Sequence, residues 1–586
     1  MAGTAAERRG RRLPWHVLGL VLAVCVLAAA AAWVGVRALM VKNEVDAIQS
    51  LTSQMTDAVA ARNLGRIGAV NAALGAHTHK AVALTGDPLW AAAERLPVIG
   101  PNLAAVRTAA VALDTVSTRV VSPVLRIAST LTDSADATQL RRTLSPGGPL
   151  QDAASALHGA ARSLAAIRST GLIPPVASGV DRLTAGVRHA DDILRPLAAS
   201  ASALPGLLGA DGPQTLLVMI QNPAELRTGG GITGAFVQLH ADAGRITLQM
   251  MRDSTAFTHR TTPIAPVPAP LSALYGDVVG RFVQDASIPA DFALTSRLAA
   301  AWWTAHGGAT PDAVISIDPM VLQALLAATG PVTLPDGTEL SAGNLVQRVL
   351  VDPYLTMTSG QQSVFFAHAT TAVFERLFER GLSPVQWAQA LVQPIQDGRV
   401  SAWSADPRVQ TELATSPLGG PLVRQRLAGG GAYAVYFNDN TGGKMAGYLS
   451  TAISTAQGVC RADGKRSVAV SVSLTSTAPA DAGTMPISMT GGGLWGVGAG
   501  DIGMNVTVAA PAGAYYDGVT IDGVLAASVN VDAEGHPSSI THVNLQPGET
   551  NVLTFRFVVD HGQAVRIVHT PMLTAPAVST TTLACG

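Results

Sequence analysis

The densest polar chemistry in the chain lies at residues 221–234, Gln-Asn-Pro-Ala-Glu-Leu-Arg-Thr-Gly-Gly-Gly-Ile-Thr-Gly, a Gly-rich loop between two apolar runs. Glycines let backbone N–H groups approach an anion closely, and Arg227 adds a forked donor, so the loop suits a phosphate cradle. The same glycines serve equally well as turn residues in a long strand-to-strand connection. The loop is not a Walker A motif, because no Gly-Lys-Ser/Thr follows. Its candidate ligand contacts are Asn222, Glu225, Gly229, Gly230, Gly231 and Thr233. A second cluster, Met251-Arg252-Asp253-Ser254, follows the next two apolar runs. If those runs form a hairpin, Arg252 and Asp253 emerge at the sheet edge that carries the Arg227 loop. Two arginines and a carboxylate there suit a pyrophosphate with a divalent cation such as Mg²⁺, with Asp253 and Asp285 as metal contacts and Arg281 and Arg348 as further substrate contacts. The plain alternative is a surface Arg252–Asp253 ion pair worth under about 1 kcal/mol.

Other polar or aromatic residues point mainly to structure. Trp302-Trp303 read as core, Asp318 before Pro319 as a helix N-cap, and Gly491-Gly-Gly-Leu-Trp495 as a turn or a platform on which a sugar stacks. There is no GxSxG, HExxH or CxxC motif, which disfavours serine hydrolase, zinc peptidase and thiol redox chemistry.

The elements that must hold these residues follow from patterning. Residues 43–210 are rich in Ala, Leu and Val at three- and four-residue spacing, broken at 86–88, 97–101, 146–149 and 174–175, which predicts helices in antiparallel hairpins. Such a region serves as a stalk or as a partner-binding module. Period-2 runs at 214–220, 232–240 and 245–251 predict a strand and a hairpin; helices at 271–275 and 292–306, a strand at 313–317 and a helix at 320–329 follow. Strands interleaved with helices predict an α/β core, with trailing helices, over 212–430. Short alternating runs between Gly/Pro turns predict a β-sandwich over 431–586, so the fold class is multidomain α+β.

Composition sets the compartment and excludes one class of partner. The 586 residues carry 39 Lys+Arg against 40 Asp+Glu, a net charge of −1, so no electrostatic case exists for nucleic acid. Only 13% are charged and 48% hydrophobic, which permits large buried cores. Residues 13–36 are long and apolar enough to span a bilayer once, and Arg8, Arg9, Arg11 and Arg12 precede them, so 1–12 should form a cytoplasmic tail and the rest a type II extracytoplasmic body. A cleaved signal peptide is the competing reading. Outside that segment the cysteines are Cys460 and Cys585, which export permits to form a disulfide or leaves as two free thiols.

Gly86-Asp-Pro-Leu-Trp90, Leu96-Pro-Val-Ile-Gly100, the 221–234 loop, Ala313-Val-Ile-Ser-Ile-Asp-Pro319 and Thr329-Gly-Pro-Val332 together resemble the proteins grouped as "domain of unknown function 4012". That resemblance implies a membrane-anchored protein of a Gram-positive or actinobacterial envelope. The order of features over 215–355 is more distantly similar to the LytR-CpsA-Psr family, which transfers glycopolymers from polyprenyl pyrophosphate carriers to the cell wall. Arg227, Met251-Arg252-Asp253-Ser254, Tyr275-Gly276 and Gly330-Pro331-Val332 carry the similarity. It implies Arg227 and Arg252 as pyrophosphate ligands and Asp253 as a Mg²⁺ contact. Met251 stands where that family has proline, and its later arginine-rich segment is represented by Arg348 and Gln361-Gln362.

Two functions are therefore expected of this chain. One is transfer of a lipid-linked glycopolymer from a polyprenyl pyrophosphate carrier to the cell wall, with Arg227, Arg252 and Asp253 catalytic. The other is a non-catalytic glycan-binding or scaffolding module in envelope polysaccharide assembly. The polymer, the acceptor and any protein partner are not legible in the sequence.

Overall fold

The computed structural model describes residues 15–60, 63–133, 142–145, 147–243, 245–379, 384–459, 461–560 and 563–583. The basic tail 1–12, Gly244 of the expected hairpin turn, Cys460 and Cys585 lie outside the described residues. The chain is a mixed α/β multidomain protein made of two compact units, a helical one over residues 1–130 and 147–195 and a second one over residues 131–146 and 196–586.

In the helical unit α1 (Trp15–Ala60) runs unbroken from the apolar segment into the polar region, with no linker at residue 37. Its apolar part is long enough to cross a membrane, which makes α1 a candidate single-pass anchor or signal sequence. There follow α2 (Leu64–Thr85), α3 (Pro88–Ala93), α4 (Gly100–Thr115), a π-helical turn at Val116–Val121, α5 (Ser122–Asp133), α6 (Pro149–Ala165) and α7 (Pro174–Ala201). The π turn has a local cause. Buried Asn71 on α2 donates to the Ser117 carbonyl at 3.2 Å and to Ser122 Oγ at 3.0 Å, and Ser122 Oγ donates to the same carbonyl, replacing the usual helical partner. His77 meets Glu44 of α1 at 2.5 Å and ties the first hairpin together.

The second unit opens with a five-stranded sheet in the order β3-β2-β1-β4-β7, built from β1 (Gln214–Asn222), β2 (Ile232–Asp242), β3 (Arg245–Asp253), β4 (Ala313–Ile317) and β7 (Ser401–Ser404). β1 and β4 are parallel and the other pairs antiparallel, while β5 (Val332–Thr333) and β6 (Glu339–Leu340) form a small separate hairpin. Leu216, Val218 and Val237 face a core shared with α9 (Pro319–Thr329) and the helix Ser359–Glu379; Leu217, Met219 and Phe236 face α8 (Phe292–Ala305) and its buried Trp302 and Trp303. Helices thus cover both faces of β1, and apolar residues on each face are buried. Asp318 caps α9, its Oδ1 accepting from Met320 and Val321 N–H at 3.0 and 3.1 Å, as its place before Pro319 predicts.

The remaining strands are β8 (Ala432–Asp439), β9 (Leu449–Gly458), β10 (Arg466–Ser476), β11 (Ile502–Ala509), β12 (Tyr515–Ile521), β13 (Val524–Leu525), β14 (Val529–Ala533), β15 (His536–Leu545), β16 (Thr550–Val559), β17 (Arg566–His569) and β18 (Ala577–Thr582). They form one sheet ordered β13-β12-β16-β10-β9-β18 and another ordered β14-β15-β11-β8-β17. Val470, Val472 and Phe555 of the first share a buried cluster with Val435, Phe437 and Val506 of the second, so the two sheets enclose one core. This sheet pair and the α/β sheet lie in the same compact unit.

Candidate functional site

The loop between β1 and β2 is the joint between the α/β sheet and the sheet pair. β1 carries a bulge at Ile220/Gln221, and Asn222 Oδ1 accepts from Ala224 N–H at 2.9 Å, turning the chain away from the sheet. Leu226 then enters the core of the sheet pair and is fully buried there. Two backbone bonds and one to a side chain fasten this loop: Asp439 N–H to Leu226 O at 2.9 Å, Ala446 N–H to Ala224 O at 3.0 Å, and Thr228 N–H to Asn438 Oδ1 at 2.9 Å. Gly229 N–H donates to Ser287 O at 3.1 Å, Gly230 N–H to Arg227 O at 2.8 Å and Ile232 N–H to Glu225 O at 2.9 Å. A Cβ on Gly231 would sit 2.3 Å from the Asn222 carbonyl, so this glycine permits backbone to pass backbone. The N–H groups of Thr228, Gly229 and Gly230, on which a phosphate cradle would draw, are thus engaged within the protein. Thr233 is fully buried in β2, opposite Gln221.

Buried charges line this joint. Arg227 Nε meets Asp285 Oδ1 at 2.8 Å and its Nη2 meets Glu225 Oε1 at 3.0 Å, while Nη1 donates to the carbonyls of Leu226 and Asp439 at 2.9 and 3.3 Å. The other Glu225 oxygen binds Lys444 Nζ, which also lies 5.4 Å from the centre of the Tyr354 ring. Asn222 Nδ2 donates to the Tyr354 hydroxyl at 2.7 Å. Burial alone would raise the Glu225 carboxyl, but Lys444 and Arg227 hold it below its usual range. Burial pushes Asp285 up against the pull of Arg227. Two cations, Arg227 and Lys444, therefore face three carboxylates, Glu225, Asp285 and Asp439, and with all three ionised the cluster would carry one negative charge in excess. Burial, then the Glu225 charge, push the Asp439 carboxyl up to about 7, against hydrogen bonds from Thr441 and Gly442.

The other sequence candidates fall into two sets. Register places Asp253 opposite Ala235 and Arg252 opposite Phe236, while Ile220 pairs with both Ala235 and Ile317, so the ends of β1, β3 and β4 share one edge with the Arg227 loop. Arg252 packs 5.6 Å over the Trp303 ring, and Asp253 Oδ1 accepts from Thr255 N–H at 2.8 Å; Asp253 is near enough to raise the Tyr354 hydroxyl, to which burial contributes most. Arg281 and Arg348 are elsewhere: the first donates to Arg260 O at 3.0 Å, the second pairs with Asp352 at 3.2 Å one helical turn away. Asp285 is turned onto Arg227, and among the described residues no group of three or more His, Cys, Asp or Glu is placed to hold a metal ion.

Residues 211–354 match the family described as Protein of unknown function (DUF4012). This domain belongs to that family. Among solved structures, the chain is similar to the Lin1025 protein from Listeria innocua at 9% identity, over 35% of this chain and 79% of that one, with a TM-score of 0.21. No curated protein matches.

The DUF4012 domain supplies Asn222, Glu225, Arg227, Asp285 and Tyr354, whereas Asp439 and Lys444 come from beyond its end. Sequence reasoning missed these last two and Tyr354. A signal for them exists in Asn438-Asp-Asn-Thr-Gly-Gly-Lys444, which ends an apolar strand in the same polar, Gly-bearing way as 221–231. It also missed Arg399, whose Nη1 pairs with Asp318 at 2.7 Å and whose Nη2 donates to Met572 O at 2.6 Å, which ties Asp318 of the DUF4012 domain to the segment between β17 and β18.

Proposed function

We propose that this protein is a membrane-tethered component of the cell envelope whose extracytoplasmic body holds a wall-linked or lipid-linked glycopolymer without transferring it. The observation that carries this reading is the state of Arg227: a side chain suited to gripping pyrophosphate is buried and saturated by Asp285 and Glu225. A guanidinium so paired has no free face for a leaving group, and freeing it would strand two buried carboxylates. The glycan contact is Trp495, which is 61% exposed although its indole lies against Gly442, where a Cβ would come within 2.3 Å of Cδ1. An indole immobilised on one edge and open elsewhere suits stacking on the C–H face of a sugar.

The test is retention of purified wall polysaccharide, and separately of polyprenyl-pyrophosphate oligosaccharide, by the full chain with and without Mg²⁺. Polymer should be retained irrespective of Mg²⁺, and Trp495→Ala should weaken retention about tenfold, equivalent to about 1.4 kcal/mol. Mg²⁺-dependent release of carrier lipid that disappears in Arg252→Ala would instead establish transfer.

A further inference from the structure

The helical unit carries an apolar end whose height is set by α1. Arg37 immediately follows the apolar segment 13–36 and therefore marks the level at which α1 leaves the bilayer. Its guanidinium pairs with Asp87 at 3.3 Å, donates to Leu84 O at 3.0 Å and lies 5.0 Å over Trp33, so the end of α2 has returned to that level. α4 runs antiparallel to α2, with Thr78 bonded to Asp114 and Asn71 to Ser117, which puts its first residue, Gly100, at the same end. α3 packs against α1, and Trp90 Nε1 donates to Leu103 O at 3.3 Å. Asn102 Oδ1 accepts from Ile173 N–H at 2.8 Å and so brings the turn before α7 to this end too.

Large apolar side chains stand in the open here: Leu89, Leu96, Ile99 and Ile173 are exposed, and Val98 is 81% exposed. Val98 has φ +73°, with Ile99 N–H bonded to Pro97 O at 2.9 Å, a tight three-residue turn that a β-branched residue disfavours. A Cβ on Gly100 would lie 2.2 Å from Glu94 O, so the corner closes only with glycine there. The fold holds valine outward in a conformation it resists. Arg95 and Arg168, both exposed, flank these residues in the chain.

We infer that this end, residues 88–99 with 171–173, is seated in the headgroup–acyl boundary of the leaflet from which α1 emerges at Arg37. The five apolar side chains enter the acyl boundary, and Arg95 and Arg168 meet anionic headgroups. The helical unit is then a membrane-seated platform and not a free spacer. The inference rests on α1 being a retained anchor.

The full chain, with Cys25, Cys460 and Cys585 replaced by serine, is labelled through Val98→Cys, Ile173→Cys or, at the far end of the unit, Ser129→Cys, and reconstituted in phosphatidylglycerol-containing vesicles. Labels at 98 and 173 should be quenched several-fold more by a lipid-borne quencher than the label at 129, and several-fold less by aqueous iodide. A chain that floats with the vesicles but leaves both labels as open to iodide as the one at 129 overturns this inference alone. A chain that does not float at all overturns the anchor reading and this inference with it.

Discussion

At the residue scale the governing fact is that buried charge must be balanced. Arg227→Ala leaves Glu225 and Asp285 facing each other in a site cut off from water, and should cost about 3–5 kcal/mol of stability by chemical denaturation. A dedicated pyrophosphate ligand on the surface would show the opposite pattern, with carrier binding lost and stability unchanged. Asp439 makes the joint sensitive to pH. Its carboxyl rises from 3.8 to about 7 in the fold, so between those values the folded chain holds one more proton than the unfolded chain. Its contribution is fully present below the lower value and is lost as pH rises through the upper one. Asp439→Asn, which keeps a neutral side chain, should flatten the fall in stability across about pH 4 to 7; an unchanged slope in denaturation midpoints would show that another group titrates there.

At the element scale the loop from 223 to 231 is both the connection between β1 and β2 and a plug in the neighbouring core. Leu226→Ala removes the plug and should cost about 2–5 kcal/mol, with hydrogen exchange accelerating in β8 as well as in β1. If the α/β sheet and the sheet pair were independent, only one of them would respond. Much of this element's neighbourhood was legible beforehand. The alternation that predicts β1, β2 and β3 places Arg252 and Asp253 at the edge shared with Arg227, and Asp318-Pro319 announces the start of α9. The partner of the loop was not legible, because Asn438 and Lys444 lie some two hundred residues away in sequence and ion pairs leave no periodic trace.

For the whole molecule, α1 is a candidate single-pass anchor, and β18 is drawn back onto β9. β18 runs parallel to β9, and Leu583 N–H donates to Gln457 O at 3.1 Å, so the described residues flanking Cys460 and Cys585 are neighbours. By itself the sequence determined which stretches are helical, stranded or fit to cross a bilayer, because those properties depend on spacing along a few consecutive residues. It also singled out the 221–234 loop, since glycines beside an arginine are conspicuous wherever they fall. Only the tertiary structure decided what that loop does. Whether Arg227 faces a phosphate or two carboxylates depends on which distant side chains share its dry surroundings, and burial makes that neighbourhood decisive for charge.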